Sequence, residues 1–127
     1  MKAEELFLDI ERSRCLQRLG LDMSDSAFGW MPYFYEGNKK IFELERTDYY
    51  GKDEGFIPTY SLEEIWAKLP NTVVSKDKKV FFREITNNAV SYCNLHNEIY
   101  HTYFDDTALN NAYKMMCWIL TRGKDED

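Results

Sequence analysis

A chain of 127 residues with a formal charge of −6 and 16% aromatic residues fits one domain of ordinary size, able to bury roughly two thirds of its unfolded surface. The acidic balance argues against general nucleic-acid binding, which needs a surplus of lysine and arginine to displace counterions from phosphates. No apolar run approaches the ~18 residues of a membrane span, and the start of the chain, Met1 to Glu5, has no signal-peptide pattern, so a cytoplasmic protein with no membrane association is expected.

The first elements follow from local chemistry. Glu5 to Leu8 reads as a short extended piece. Asp9 is placed to cap a helix running to Leu19, with Cys15, Leu16 and Leu19 on its buried side; its narrow apolar stripe also allows a start as early as Ala3. Gly20 fits the left-handed position after the last turn, and Leu21 is placed to fold back on it. After a polar connection, Phe28 to Tyr35 and Lys40 to Glu45 flank Glu36-Gly37-Asn38-Lys39, the pattern of a β-hairpin. Pro32 has no N–H to give to a ladder, so the first strand is an edge there or begins after it.

Between Arg46 and Pro58 the order loosens into a long loop with an adjacent tyrosine pair, Tyr49 and Tyr50. Exposed tyrosines offer a large, stiff contact area, which makes this pair the candidate partner-binding site. Asp48, Asp53 and Glu54 do not match the spacing of a calcium loop, so no metal is expected there.

Ser61-Leu62-Glu63-Glu64 has the form of a capping box. Leu62, Ile65, Trp66 and Leu69 then recur on one helical face until Pro70 stops the helix. Thr72 to Ser75 reads as a short strand. Lys76, Lys78, Lys79 and Arg83 form the main cationic cluster, expected on a solvated turn and strand edge.

From Lys79 to Phe104 the chain is rich in β-branched and aromatic residues, punctuated at Asn87-Asn88 and His96-Asn97. Asparagine tolerates the positive φ of tight turns, so the pattern predicts an antiparallel three-stranded meander. Asp105 and Asp106 then supply the cap of a closing helix to about Thr121, with Leu109, Ala112, Tyr113, Met116 and Leu120 as its apolar stripe. Gly123 is expected to end it, leaving residues 124–127 as an acidic frayed tail.

Few constellations point to catalysis. Cys93 and His96 have the spacing of half a zinc site, with no second Cys/His pair to complete it. Cys93 with His96 or His101 is a conceivable nucleophile and base. Glu43, Glu45 and Glu84 are carboxylates of the kind that fall close together in any acidic chain. No phosphate-cradling glycine loop or nucleophile elbow occurs, and no cofactor is expected. The three cysteines, Cys15, Cys93 and Cys117, are expected to be reduced thiols in apolar packing.

The segments Leu16 to Asp22, the aromatic hairpin, Ile57 to Pro70 and Asp106 to Leu120 together resemble a group of short uncharacterised proteins from prophages and mobile elements of gut Bacteroidetes. The resemblance rests on capping and packing residues. It implies an architecture and a genetic setting, with no catalytic residue to carry over.

The sequence therefore predicts a single α+β domain over residues 1–123. A mainly antiparallel sheet, built from the N-terminal hairpin and the C-terminal meander, packs against about three helices. The expected role is noncatalytic: protein interaction or an accessory function, through an unidentified partner or self-association. The alternative is a small hydrolase using the Cys–His pair or a carboxylate-bound metal.

Overall fold

In the computed structural model, which describes residues 3–35, 37 and 39–125, the protein is α+β with antiparallel pairing in both of its sheets. The chain divides into two compact units, residues 1–61 and 62–127, each with its own sheet and core.

The first unit opens with a 3₁₀ turn at Ala3–Leu6, so Glu5 and Leu6, expected to be extended, are helical. Only Phe7 and Leu8 are extended, bridged to Ser61 and Tyr60. Ala-Glu-Glu-Leu is a run of good helix formers, and their local preference prevails there. Helix α1, Ile10–Arg18, starts as the sequence indicates: the Asp9 carboxylate accepts from Arg12 N–H at 2.8 Å. It ends in a Schellman motif, with Gly20 at φ +100, Gly20 N–H donating to Gln17 O and Leu21 N–H to Leu16 O.

Strands β1, Phe28–Tyr35, and β2, Lys39–Arg46, form the expected hairpin. Gly37 has φ +79; Glu36 and Asn38 of the expected turn lie outside the described residues. The long loop is partly ordered as one helical turn, α2, at Thr47–Tyr50. It is followed by β3, Ile57–Thr59, which completes the order β2-β1-β3. Four residues are too few for a periodicity to register, so α2 left no trace in the sequence pattern. Because β3 meets β1 only from Phe28 to Trp30, Pro32 faces β2 alone and its missing N–H breaks no ladder bond on the other side.

The core of this unit holds Leu8, Leu16, Met23, Trp30, Ile57 and Tyr60 around a buried polar chain. Ser13 Oγ donates to Thr59 Oγ1 at 2.8 Å, and Thr59 Oγ1 donates to Leu8 O at 2.8 Å. Trp30 Nε1 donates to the same carbonyl at 2.9 Å. Gly29 lies close under Phe56 and the Ile57 carbonyl; a Cβ there would sit 2.6 Å from the Ile57 oxygen. Only glycine permits that approach.

The second unit begins with α3, Leu62–Lys68, directly after Ser61, with Ile65 and Leu69 buried. Its sheet runs β4, Thr72–Val74; β5, Val80–Thr86; β6, Ala89–Cys93; and β7, Ile99–Tyr103, in sequential order. Asn87 at φ +49 and Asn97 at φ +62 occupy the two turns that the asparagines marked. Helix α4, Ala108–Asp125, is capped by Thr107, not by the preceding aspartates: Asn110 N–H donates to Thr107 Oγ1 at 3.1 Å. Asp106 accepts from Thr107 N–H, Asn110 and Lys114 instead. The helix runs past Gly123, since glycine permits a left-handed stop without requiring one; of the expected frayed tail, Glu126 and Asp127 lie outside the described residues.

Among the described residues, no helix is long and apolar enough to cross a membrane.

Candidate functional site

Alternation along the strands of the second unit sorts its sheet into two chemically different faces. The inner face carries Val73, Phe81, Arg83, Tyr92, Val90 and His101, paired across the strands as Val73↔Phe81 and Arg83↔Tyr92↔His101. Helix α4 packs on this face through β6 and β7, and α3 packs on α4. Trp118 of α4 is the centre of the contact. His101 stacks on it at 4.3 Å and 4°, Tyr100 meets it edge-on at 5.5 Å, and Tyr92 lies 6.1 Å away.

Two consecutive strand residues reach the same tryptophan because β7 bulges. The register steps from Tyr92↔His101 to Cys93↔Ile99, so Tyr100 is an extra residue and turns inward with His101. Arg122 closes the cluster, its guanidinium 5.2 Å from the Trp118 ring and 5.6 Å from that of Tyr100. It donates to Val74 O at 2.9 Å and to the Tyr100 hydroxyl at 3.1 Å. Arg83, expected on a solvated edge, instead points inward and donates to Trp66 O and Leu69 O at 2.7 and 2.8 Å. A fixed positive charge at the end of α3 favours the exposed carbonyls there. A residue's face in the sheet, not its neighbours in sequence, decided its surroundings.

Titration follows burial. Tyr92 is pushed up to about 12 by burial, with its hydroxyl donating to Pro70 O at 2.7 Å. Burial lowers the His101 imidazole below its ordinary 6.5, and its Nε2 is buried with no hydrogen-bond partner among the described residues. Asn111, fully buried, donates from Nδ2 to Asn88 O and Asp106 O at 3.0 Å each, tying the Asn87-Asn88 turn to the start of α4.

The outer face is different. Across it run the pairs Val74↔Val80 and Thr72↔Phe82↔Cys93↔Ile99, followed by Glu84↔Ser91↔Thr102. Val74, Val80, Phe82 and Ile99 are exposed, Ile99 to 62%, and Leu95 in the adjoining turn is 86% exposed. One end of this face is thus an apolar band across four strands, while the other end is polar, with Ser91 and Thr102 hydroxyls hydrogen-bonded at 2.6 Å.

The three residues considered for nucleophilic catalysis fall in three settings. Cys93 lies on the outer face beside Glu84, and burial first, then the Glu84 charge and hydrogen bond, raise its thiol. His101 lies on the inner face against Trp118. His96 is exposed in the turn, where Asn94 Oδ1 accepts from its backbone N–H at 2.9 Å. The sheet separates Cys93 from His101, and a raised thiol pKa opposes thiolate formation. All three cysteines are half-buried thiols outside any disulfide. Among the described residues, no three His, Cys, Asp or Glu side chains gather into a metal-binding group.

In the first unit, Tyr49 is 71% exposed, with the Arg46 guanidinium 4.6 Å from its ring; Tyr50 is half-buried. Partial burial, Glu45 and a hydrogen bond with Tyr50 push the Tyr33 phenol up to about 12. The two adjacent tyrosines therefore do not form one exposed pair. A shallow depression of about 450 Å³ is lined by Ser24, Asp25, Ser26, Arg46, Thr47 and Asp48 among others. Its polar groups largely satisfy one another: Tyr60 Oη donates to Asp25, Arg46 pairs with Asp48, and Ser26 bonds Thr47. Comparison with family models, curated proteins and solved structures finds no match to this chain.

Proposed function

We propose that this is a noncatalytic interaction protein that binds a protein partner through the outer face of its four-stranded sheet. The observation that carries this reading is the exposed apolar band of Val74, Val80, Phe82 and Ile99, with Leu95 at its margin. Isolated exposed apolar side chains are ordinary, but a contiguous band rimmed by polar groups is the composition of a contact surface. A sheet face of four strands about 4.8 Å apart gives a platform about 15 Å across, suited to a modest interface. The separation of Cys93 from His101 by the sheet favours this reading over a cysteine hydrolase. An accessory role in a prophage or mobile element fits it; that setting rests on the sequence resemblance alone.

The test is affinity capture from an extract of the encoding organism, using the parent and a Phe82→Asp/Ile99→Asp variant. Both proteins are checked by near-ultraviolet circular dichroism. A partner held by the parent and lost by the folded variant is expected. Capture unchanged by the variant contradicts the reading. So does a measured turnover that disappears in a folded Cys93→Ser protein while capture persists.

A further inference from the structure

A second surface, in the N-terminal unit, goes beyond this reading. On one face of the β1–β2 hairpin the register places Phe34 opposite Lys40 and Pro32 opposite Phe42. The Lys40 ammonium lies 5.0 Å from the Phe42 ring centre and 5.9 Å from that of Phe34. Arg14 of α1 reaches the same Phe42 ring at 5.9 Å. Phe34 is 71% exposed, and both cations are exposed. Among the described residues, neither Arg14 nor Lys40 has a carboxylate partner, whereas Arg12 and Arg46 are each paired with an aspartate. Arg18, one helical turn beyond Arg14, is exposed as well.

An acidic chain of net −6 thus concentrates free positive charge around one aromatic pair. Cations resting on aromatic rings at an exposed site are held loosely and can turn toward a carboxylate without losing their packing. We propose that this face docks a short acidic peptide segment bearing an apolar side chain: its carboxylates pair with Arg14 and Lys40, and its apolar group covers Phe34. A peptide is favoured over nucleic acid because the net negative charge of the whole chain repels a long polyanion, while a few carboxylates feel mainly the local cations within a Debye length.

The probe is a randomised dodecapeptide display library selected on the intact protein. Enrichment of peptides in which Asp or Glu neighbours Phe, Trp or Leu is expected. The synthesised winner should bind about tenfold more weakly to Arg14→Glu/Lys40→Glu and to the milder Arg14→Gln/Lys40→Gln. It should also weaken when salt rises from about 0.05 to about 0.5 M, and should lose about fivefold with Phe34→Ser.

Absence of enrichment, winners without acidic residues, or affinity indifferent to both charge variants overturns the proposal. A single-stranded oligonucleotide that binds as tightly as the winning peptide, through the same residues, overturns the choice of occupant. Winners that ignore Arg14 and Lys40 but lose binding in Phe82→Asp/Ile99→Asp overturn this proposal and leave the outer-face reading standing. Loss of partner capture only in the hairpin variants does the reverse.

Discussion

The two faces of the four-stranded sheet are made by the same strands and differ by a single step along each of them. On the inner face, Tyr92, Tyr100 and His101 converge on Trp118, Phe81 stacks on Tyr100, and Arg122 closes the cluster. On the outer face, Val74, Val80, Phe82 and Ile99 remain exposed. Large apolar side chains alone do not create a core: the inner set is closed by an amphipathic helix, and the outer set has no such cover among the described residues of its unit. The comparison teaches where stability and recognition reside. Substitutions should cost folding energy on one face and binding on the other.

The largest expected effect is on the inner face. Trp118→Ala removes the ring shared by three aromatic neighbours and should cost about 3 kcal/mol in urea unfolding; Phe82→Ala, on the outer face, should change stability by less than about 1 kcal/mol. Equal losses would erase the distinction. Asn111→Ala comes next. It leaves the Asn88 and Asp106 carbonyls without their buried donor and should cost about 1–3 kcal/mol, measured the same way.

A smaller effect concerns His101 and pH. Folding lowers the pKa of His101 from 6.5, so the unfolded chain binds the proton more readily. Its contribution is fully present above about pH 6.5 and is lost as pH falls through the lowered native value. His101→Phe should flatten that part of the stability profile. A slope that survives in His101→Phe would assign the proton uptake to another group.

The smallest effect concerns the start of α3. Ser61→Ala should lose about 1 kcal/mol if the serine oxygen serves the free donors of the first turn. No loss would leave α3 to its packing alone.

Much of the architecture was legible because it is written in local chemistry. Asp9, Gly20, Asn87 and Asn97 each meet a backbone requirement that few other residues meet, and they marked their caps and turns correctly. The burial of Ile65 and Leu69 followed from helical spacing. What remained hidden depends on tertiary placement. Nothing about Ser13 or Thr59 marks them as fully buried until the Leu8 carbonyl lies between them. Arg83 was read among the exposed lysines because its inward direction depends on strand register.

The candidate surface was still less legible. Tyr49 and Tyr50 drew attention as neighbours, but α2 turns them apart, one exposed and one against Tyr33. The exposed members of the outer-face band come from three strands and a turn, with no two of them adjacent in sequence. Likewise Arg14 and Lys40 become neighbours only across Phe42. Patches of this kind carry no motif.

Hydroxyl-radical footprinting of the protein alone and with its captured partner tests the central claim most directly. The account predicts that Phe82, Leu95 and Ile99 are modified in the free protein and protected in the complex, while Tyr92 and Trp118 change little. Protection confined to residues elsewhere, with Phe82, Leu95 and Ile99 equally reactive in both states, would contradict it.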